Sequence, residues 1–571
     1  MQSYWDRVLN KRVGRRRAIA ATGALTASAA FLAACGGDDD DDDDDAPAAT
    51  SPSGGGAASP TPGTGGGGAS GAQYGGGSFG DTYTSSNNLN ILTNASEYAA
   101  FGGQFVYDHL ISTRTNDRAP YVLEAADALD QPDELTLTFK LRQGMKFHNF
   151  APVNGREVVA EDVKLSQEFI LPQDNIENTF QKFFLDRVEV PDKYTVVYKL
   201  KEPRAYMFDS RQLGHPGPQA IIPHETFDTL DSERQIGSGP FMLDNWVIST
   251  KNHYIRNPEY HSYGMGEGVL PYREATDVFV LPDIAALEAA LRSGQLSLWW
   301  TVPPAQFEEL SQSMGDKVQA IEYPGLNPFT WNMNMDKEPF TDVRFREAFY
   351  RATDRQQHID LVYNGKAETP TSILATTHTA YQLDASETDE YFRHDPAEGK
   401  KLLSAMNFDG REIELFYIGP SAVNDVGAEV LKQQAAAIGV TIRIVTFGLA
   451  EALPRTQRRE YEMFIGGHPG YDTPSVPMRH NHSTPNHQFE VSGLKDPVLD
   501  AMIEQAEKTV NFEENIKLVK EAQLYAISNY TSYYNIATPI ARQLLDARIR
   551  SYEVEASNTA MHRADMWFEE A

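Results

Sequence analysis

The sequence predicts a large α/β protein built as two lobes, preceded by an N-terminal region that does not fold with it. Three observations carry this expectation. The chain has 571 residues, beyond the size at which one hydrophobic core keeps growing. Between Glu412 and Val445 a strand pattern, a helix pattern and a second strand pattern follow one another, the βαβ signature of a parallel sheet covered by helices. Residues 36–77 almost lack large apolar side chains, so the globular pattern begins only near residue 78.

The first 34 residues hold Asp6 against Arg7, Lys11, Arg12, Arg15, Arg16 and Arg17, then the uncharged Ala18–Ala34. A basic end, a short and moderately apolar middle and small residues at the close form a secretory signal pattern. The arginine cluster resembles a twin-arginine signal, with Gly14, Ala18 and Ile19 where the usual polar residue and bulky apolar pair would stand. Leu32-Ala33-Ala34-Cys35-Gly36 resembles the bacterial lipobox, so Cys35, the single cysteine, is expected to be lipidated. One cysteine also excludes an internal disulfide framework. Residues 35–77, with eight aspartates at Asp38–Asp45, then read as a disordered tether with a reach of ~35 Å.

The formal charge of −30 argues against nucleic acid, which needs a basic face. It becomes −35 without residues 1–34, and −27 with the aspartate run also set aside. The acidity is therefore spread over the body as a solvated surface. Beyond the N-terminus no stretch reaches the ~18 apolar residues of a membrane span.

Within the body, Glu134–Leu141 alternates, with Leu135, Leu137, Phe139 and Leu141 on one side. Val188–Val190 and Tyr194–Leu200 flank Pro191-Asp192-Lys193, a hairpin with a proline-initiated turn. Glu412–Ile418 reads as a strand, about Asp425–Ile438 as a helix stopped by Gly439, and Val440–Val445 as the returning strand. Asp395-Pro396-Ala397-Glu398 opens a helix, with a cap, a proline at the first helical position and an acid behind it. Two further helices are expected over Pro497–Val510 and Glu513–Asn529. Gly239-Pro240 should turn the chain, Asp354 cap or brace a helix, and Arg344 and Arg346 pair with local acids.

Several of these segments resemble the family-five extracellular solute-binding proteins, the oligopeptide- and dipeptide-binding class of ABC importers. The segments are Phe105-Val106-Tyr107-Asp108-His109-Leu110, Leu135–Phe147, Val159–Val163, Ile236–Phe241, Arg256–Tyr260 and Ala289–Gly294. Pro339–Arg355, Asp395–Leu403, Ala437–Val440 and His482-Ser483 with Asp496-Pro497 follow in family order. The resemblance implies a periplasmic-binding-protein-like fold, type II and cluster C-like, with a hinge between discontinuous lobes. Lobe I would be residues 78–325 plus 540–571, and lobe II residues 326–539. It also implies a small-solute or peptide ligand, ABC permease subunits as partners, a monomer, no cofactor and no catalysis.

By the same resemblance, Asn94 and Tyr98 of an early loop are candidates for hydrogen bonding a ligand backbone. Trp299 and Trp300 form either an aromatic wall or core packing at a strand end, and Trp331 and Tyr534, which with Tyr533 fall near the two chain crossings, are further candidates to line the ligand cleft. In Phe464–Asp472, His468 stands at the family's tryptophan position and Tyr471 at its aspartate position, with Asp472 one residue late. That offset puts an ammonium-pairing aspartate in question, so peptide is the leading ligand among peptide, sugar, amine and metal complex. His468, His480, His482 and His487 form a loose cluster, read as solvated or structural and not as a metal site. A secreted hydrolase is the rival class. The chain has no His-Glu-x-x-His to support it.

Overall fold

One strand, Tyr533–Asp546, belongs to both halves of the body. In the computed structural model its later part pairs antiparallel with Val318–Pro324, from Ile540 opposite Pro324 to Asp546 opposite Val318, and with Leu298–Trp299. Its earlier part pairs with Phe329–Met333, Tyr533 opposite Asn332 and Ala537 opposite Phe329. Between the two, Thr538 and Pro539 carry the short strand Ala367–Glu368. The structure describes residues 78–82, 90–92, 103–112, 121–172, 180–208, 212–214, 217–230, 235–248, 250–261, 270–281, 283–419, 421–466, 473–484, 492–531, 533–552 and 564–569. Cys35, Asn94, Tyr98, His468, Tyr471 and Asp472 lie outside them, as do the expected signal region and tether.

Backbone chemistry explains why the change of partner falls at residues 324–329 and 538–540. Proline has no N–H to give a ladder, and Pro324, Pro328 and Pro539 all sit there. The Pro539 carbonyl instead accepts the Gly325 N–H at 2.9 Å. A Cβ at Gly325 would lie 2.8 Å from that same carbonyl, so the two chains approach this closely because residue 325 is glycine.

On the residue-329 side the sheet continues through Met463–Ile465, Ile413–Ile418 and Ile442–Phe447. The last two are parallel and joined by the helix Ala422–Ile438, the expected βαβ unit. Ser421 caps that helix, and Gly439 ends it in the left-handed region at φ 93°. On the other side lie two four-stranded sheets. One is ordered Ser78–Thr82, Ala275–Phe279, Lys251–Arg256, Phe241–Val247, and the other Ala126–Asp133, Thr136–Leu141, Thr195–Leu200, Leu185–Asp192. Separate cores follow, the largest built almost wholly from residues 329–537. The body is a two-lobed α/β fold of the periplasmic-binding-protein type.

Local readings need three corrections. Leu135 is exposed, because the Asp133 carboxylate accepts its N–H and bends the chain one residue before the strand. Pro191 does not start the hairpin turn. It sits in an edge strand, and the turn falls at Lys193-Tyr194, where Asp192 accepts from the Tyr194 N–H and the Thr195 hydroxyl. Arg344 pairs with Asp342 as expected, but buried Arg346 donates to the carbonyls of Phe340, Thr341, Asn529 and Tyr530. It satisfies loop ends instead of an acid. Asp354 and Asp395 do cap their helices, accepting from Gln357 and Glu398.

Gly237 and Gly239 serve close approach more than turning. A Cβ on Gly237 would meet the Val106 carbonyl at 2.0 Å. Buried His148 clamps this stretch, its Nε2 donating to the Gly239 carbonyl at 3.0 Å while Nδ1 accepts from the Gly237 N–H. Burial pushes the His148 imidazole down to about 4, against the Gly239 contact, which favours the protonated ring. Burial takes His358 down to about 3. Between pH 6.5 and those values the unfolded chain binds more protons than the folded one, so stability falls as pH falls through that window. The loss is at most about 1.4 kcal/mol per pH unit for each ring. The melting temperature should drop between pH 7 and pH 4.5, and His148→Gln should flatten that drop relative to wild type.

Candidate ligand-binding site

The strand Phe329–Met333 lies between Tyr533–Asp546 and Met463–Ile465, and its two faces differ. Trp331 stands opposite Tyr534, ring centroids 4.7 Å apart, and both meet the helix Val343–Ala352. Tyr350 lies 4.2 Å from Tyr534 and 5.5 Å from Trp331, while Phe349 and Phe392 complete the cluster. Trp331 and Tyr534 are 0 % exposed. They are core residues of this half, and not the cleft lining that the sequence suggested.

Trp299 is also core. It packs with Leu291, Leu296, Leu310 and Leu544 beneath the helix Pro304–Met314. Trp300, pointing the other way from the strand end, is half-buried and meets Tyr552 edge-on at 6.4 Å. Of the four tryptophan and tyrosine candidates that can be located, Trp300 alone retains a solvent-facing part.

The opposite face of the same strands leads to the Phe464–Asp472 stretch. Thr330 donates through its hydroxyl to the Gly466 carbonyl, and Tyr533 stacks on His480 with centroids 5.1 Å apart and planes 11° from parallel. A Cβ at Gly466 would strike the Phe464 ring at 1.9 Å, so the chain can leave the sheet there only as glycine. The residues that follow include His468, Tyr471 and Asp472. The chain is described again from Thr473, and Ser475, His480 and Asn481 in its next turn are buried. Both ends of the Asn481 amide lack a partner among the described residues, a costly state for a buried group.

The histidines take structural places where they are described. His482 accepts the Thr484 N–H at 2.9 Å and faces Glu504 at 3.3 Å. Among the described residues no group of three His, Cys, Asp or Glu could hold a metal ion. Sequence reasoning missed a buried charge cluster, Arg204, Glu507 and Arg479, because its members are 28 to 303 residues apart and no local pattern marks them. Burial alone would raise the Glu507 carboxyl, but Arg204 and Arg479 hold it at about 2.

Two lobes joined by paired crossings are an architecture that can close around a solute. The family described as bacterial extracellular solute-binding proteins, family 5 Middle, matches residues 121–489, and the chain belongs to that family. The chain is 26 % identical to heme-binding protein A of Haemophilus influenzae, over 81 % of this chain and 86 % of the relative. It is also 26 % identical to the dipeptide-binding protein of Escherichia coli, over 67 % of this chain and 74 % of the relative. Its fold matches that of the oligopeptide-binding protein AppA from Bacillus subtilis in complex with a nonapeptide, with a TM-score of 0.73, 18 % identity and coverage of 87 % and 100 %. The protein is thus the extracytoplasmic substrate-binding subunit of an ABC transporter. It serves transport and is not an enzyme.

If the Tyr534 hydroxyl is only a core group, it is desolvated without a hydrogen bond among the described residues, and burial pushes it up to about 12. Tyr534→Phe should then leave the melting temperature unchanged or raised, whereas Trp331→Ala should cost about 3–5 kcal/mol in denaturant unfolding.

Proposed function

We propose that the protein captures peptides or peptide-like solutes between a lobe of residues 78–325 plus 540–571 and a lobe of residues 326–539. The observation that carries this reading is the single strand Tyr533–Asp546, whose partners change at Pro539, opposite Gly325. A body crossed at two neighbouring points can open and close by small torsional changes there, and a solute shifts that equilibrium by binding the closed form better. The names of the relatives, dipeptide-binding and oligopeptide-binding, support peptide as the solute class. Asn94, Tyr98, Trp300, His468, Tyr471 and Asp472 are the residues we assign to the cleft. With His468 and Tyr471 at the tryptophan and aspartate positions, the solute's amino end meets a less acidic loop than in the peptide-binding class.

The same reading places the body outside the cytoplasmic membrane, exported by its twin-arginine-like signal, held through lipid on Cys35 and carried on the 35–77 tether. Lipid at a chain end beside a flexible segment anchors without fixing orientation, and a monomer so held samples the membrane surface for its permease.

Selective ligands raise the melting temperature by mass action, by about 2.7 kcal/mol at a hundredfold excess over Kd. In a screen of peptides, oligosaccharides, amines and nickel complexes, peptides should give the largest shift, and Asp472→Ala should reduce it. A shift confined to another class would replace peptide as the solute. In cells, Cys35→Ser should move the protein from the membrane pellet to the soluble fraction.

A further inference from the structure

After the strand Thr195–Leu200 the chain leaves its own sheet and inserts into the other half. Among the described residues of the largest core, Ala205 and Tyr206 alone come from before residue 329. The Ala205 N–H donates to the Glu507 carbonyl at 2.7 Å, and the Tyr206 hydroxyl reaches Asn515 at 3.0 Å. Lys508 meets Glu202 at 2.9 Å. None of these residues belongs to the crossings at 324–329 and 538–540.

At the centre is Arg204, whose side chain is 0 % exposed. Its guanidinium lies 3.9 Å over the Phe184 ring of its own half. From the other half it receives Glu507, with Nη1 to Oε2 at 2.8 Å, and Ser475, with Nη2 to Oγ at 3.3 Å. Glu507 is held independently by Arg479, Nε to Oε1 at 2.9 Å, with a second contact from Nη2. Ser475, Arg479 and Glu507 all lie between residues 329 and 537. If the halves separate, Glu507 therefore keeps a cationic partner and Arg204 is the group that departs.

We propose that Arg204 is a clasp on the closed state, docking on the Arg479-held Glu507 when the lobes meet and returning to water when they part. Arg479 is then a positioning residue, keeping the Glu507 carboxylate ionised and aimed while the lobes are apart. The inference rests on the two-lobe reading above. Its physical basis is an asymmetry of buried ion pairs. Forming one from water gains only modestly, about the worth of one charged hydrogen bond, whereas burying one member without the other is strongly unfavourable. Closure is therefore tolerated in the one geometry that brings Arg204 to Glu507, and a misaligned closure is rejected. Because the net gain is only about that of one charged hydrogen bond, the pair defines the closed state without making closure irreversible.

The test uses the full chain with Cys35→Ser and spin labels at exposed Ile248→Cys and Leu361→Cys, one on each half. Interlobe distances are measured without added solute. Arg204→Met keeps a long apolar stem over Phe184 and leaves Glu507 paired with Arg479, so no charge is orphaned. The closed-to-open ratio should fall about tenfold, the scale of one charged hydrogen bond. Arg204→Lys, which keeps the charge and loses the two-point contact, should fall between Met and wild type. A wild-type distribution lacking a closed fraction, or one that both variants leave unchanged, overturns the clasp. Inserting two glycines after Gly325 separates the causes. If that insertion shifts the distances while the Arg204 variants do not, only the clasp is lost. If nothing shifts them, the two-lobe reading falls with it.

Discussion

The backbone pairing of Gly325 with Pro539 is the constraint on which the rest of the molecule depends. It lies where one long strand passes from the partners of one half to those of the other. On either side the ladder resumes, with one register shift at Phe329 and Thr330. At the crossing, proline removes donors and glycine removes a side chain, so few hydrogen bonds oppose a change of torsion. Apart from the insertion of Ala205 and Tyr206, each lobe keeps its own core, which lets the lobes move as bodies while the connection between them bends.

Much of this was legible in the sequence. The βαβ unit at 413–447 showed itself through period-two and period-3.6 patterns and a glycine stop, all local signals. The helix caps at Asp354 and Asp395 were equally plain, since a cap is a contact across two or three residues. What the sequence could not reveal was which aromatic faces which layer. Trp331 and Tyr534 look like crossing residues by position, yet they lie on the helix-covered face of their strands, whereas Tyr533, one residue away, lies on the other. A period of two makes a neighbour's position a poor guide to a side chain's surroundings.

Buried polarity was the least legible property. Arg346 reads as a partner for acids and instead satisfies four carbonyls, because a guanidinium's five donors suit loop ends as well as carboxylates. Arg204 and Glu507 read as ordinary surface charges in an acidic chain. Their burial follows from two segments 303 residues apart being brought together, which no spacing rule anticipates. Family resemblance identified the architecture through its scaffold motifs, and Arg204, Arg479 and Glu507 fell outside the segments that carried it.

The position of the shared strand also bears on biosynthesis. Because Tyr533–Asp546 runs between partners from both lobes, neither side of that sheet is complete until translation has passed residue 546. A nascent or truncated product ending earlier presents unpaired edges on Val318–Pro324 and Phe329–Met333 together, surfaces open to aggregation and to quality-control proteases. Assembly of the two halves is thereby tied to synthesis of this one strand.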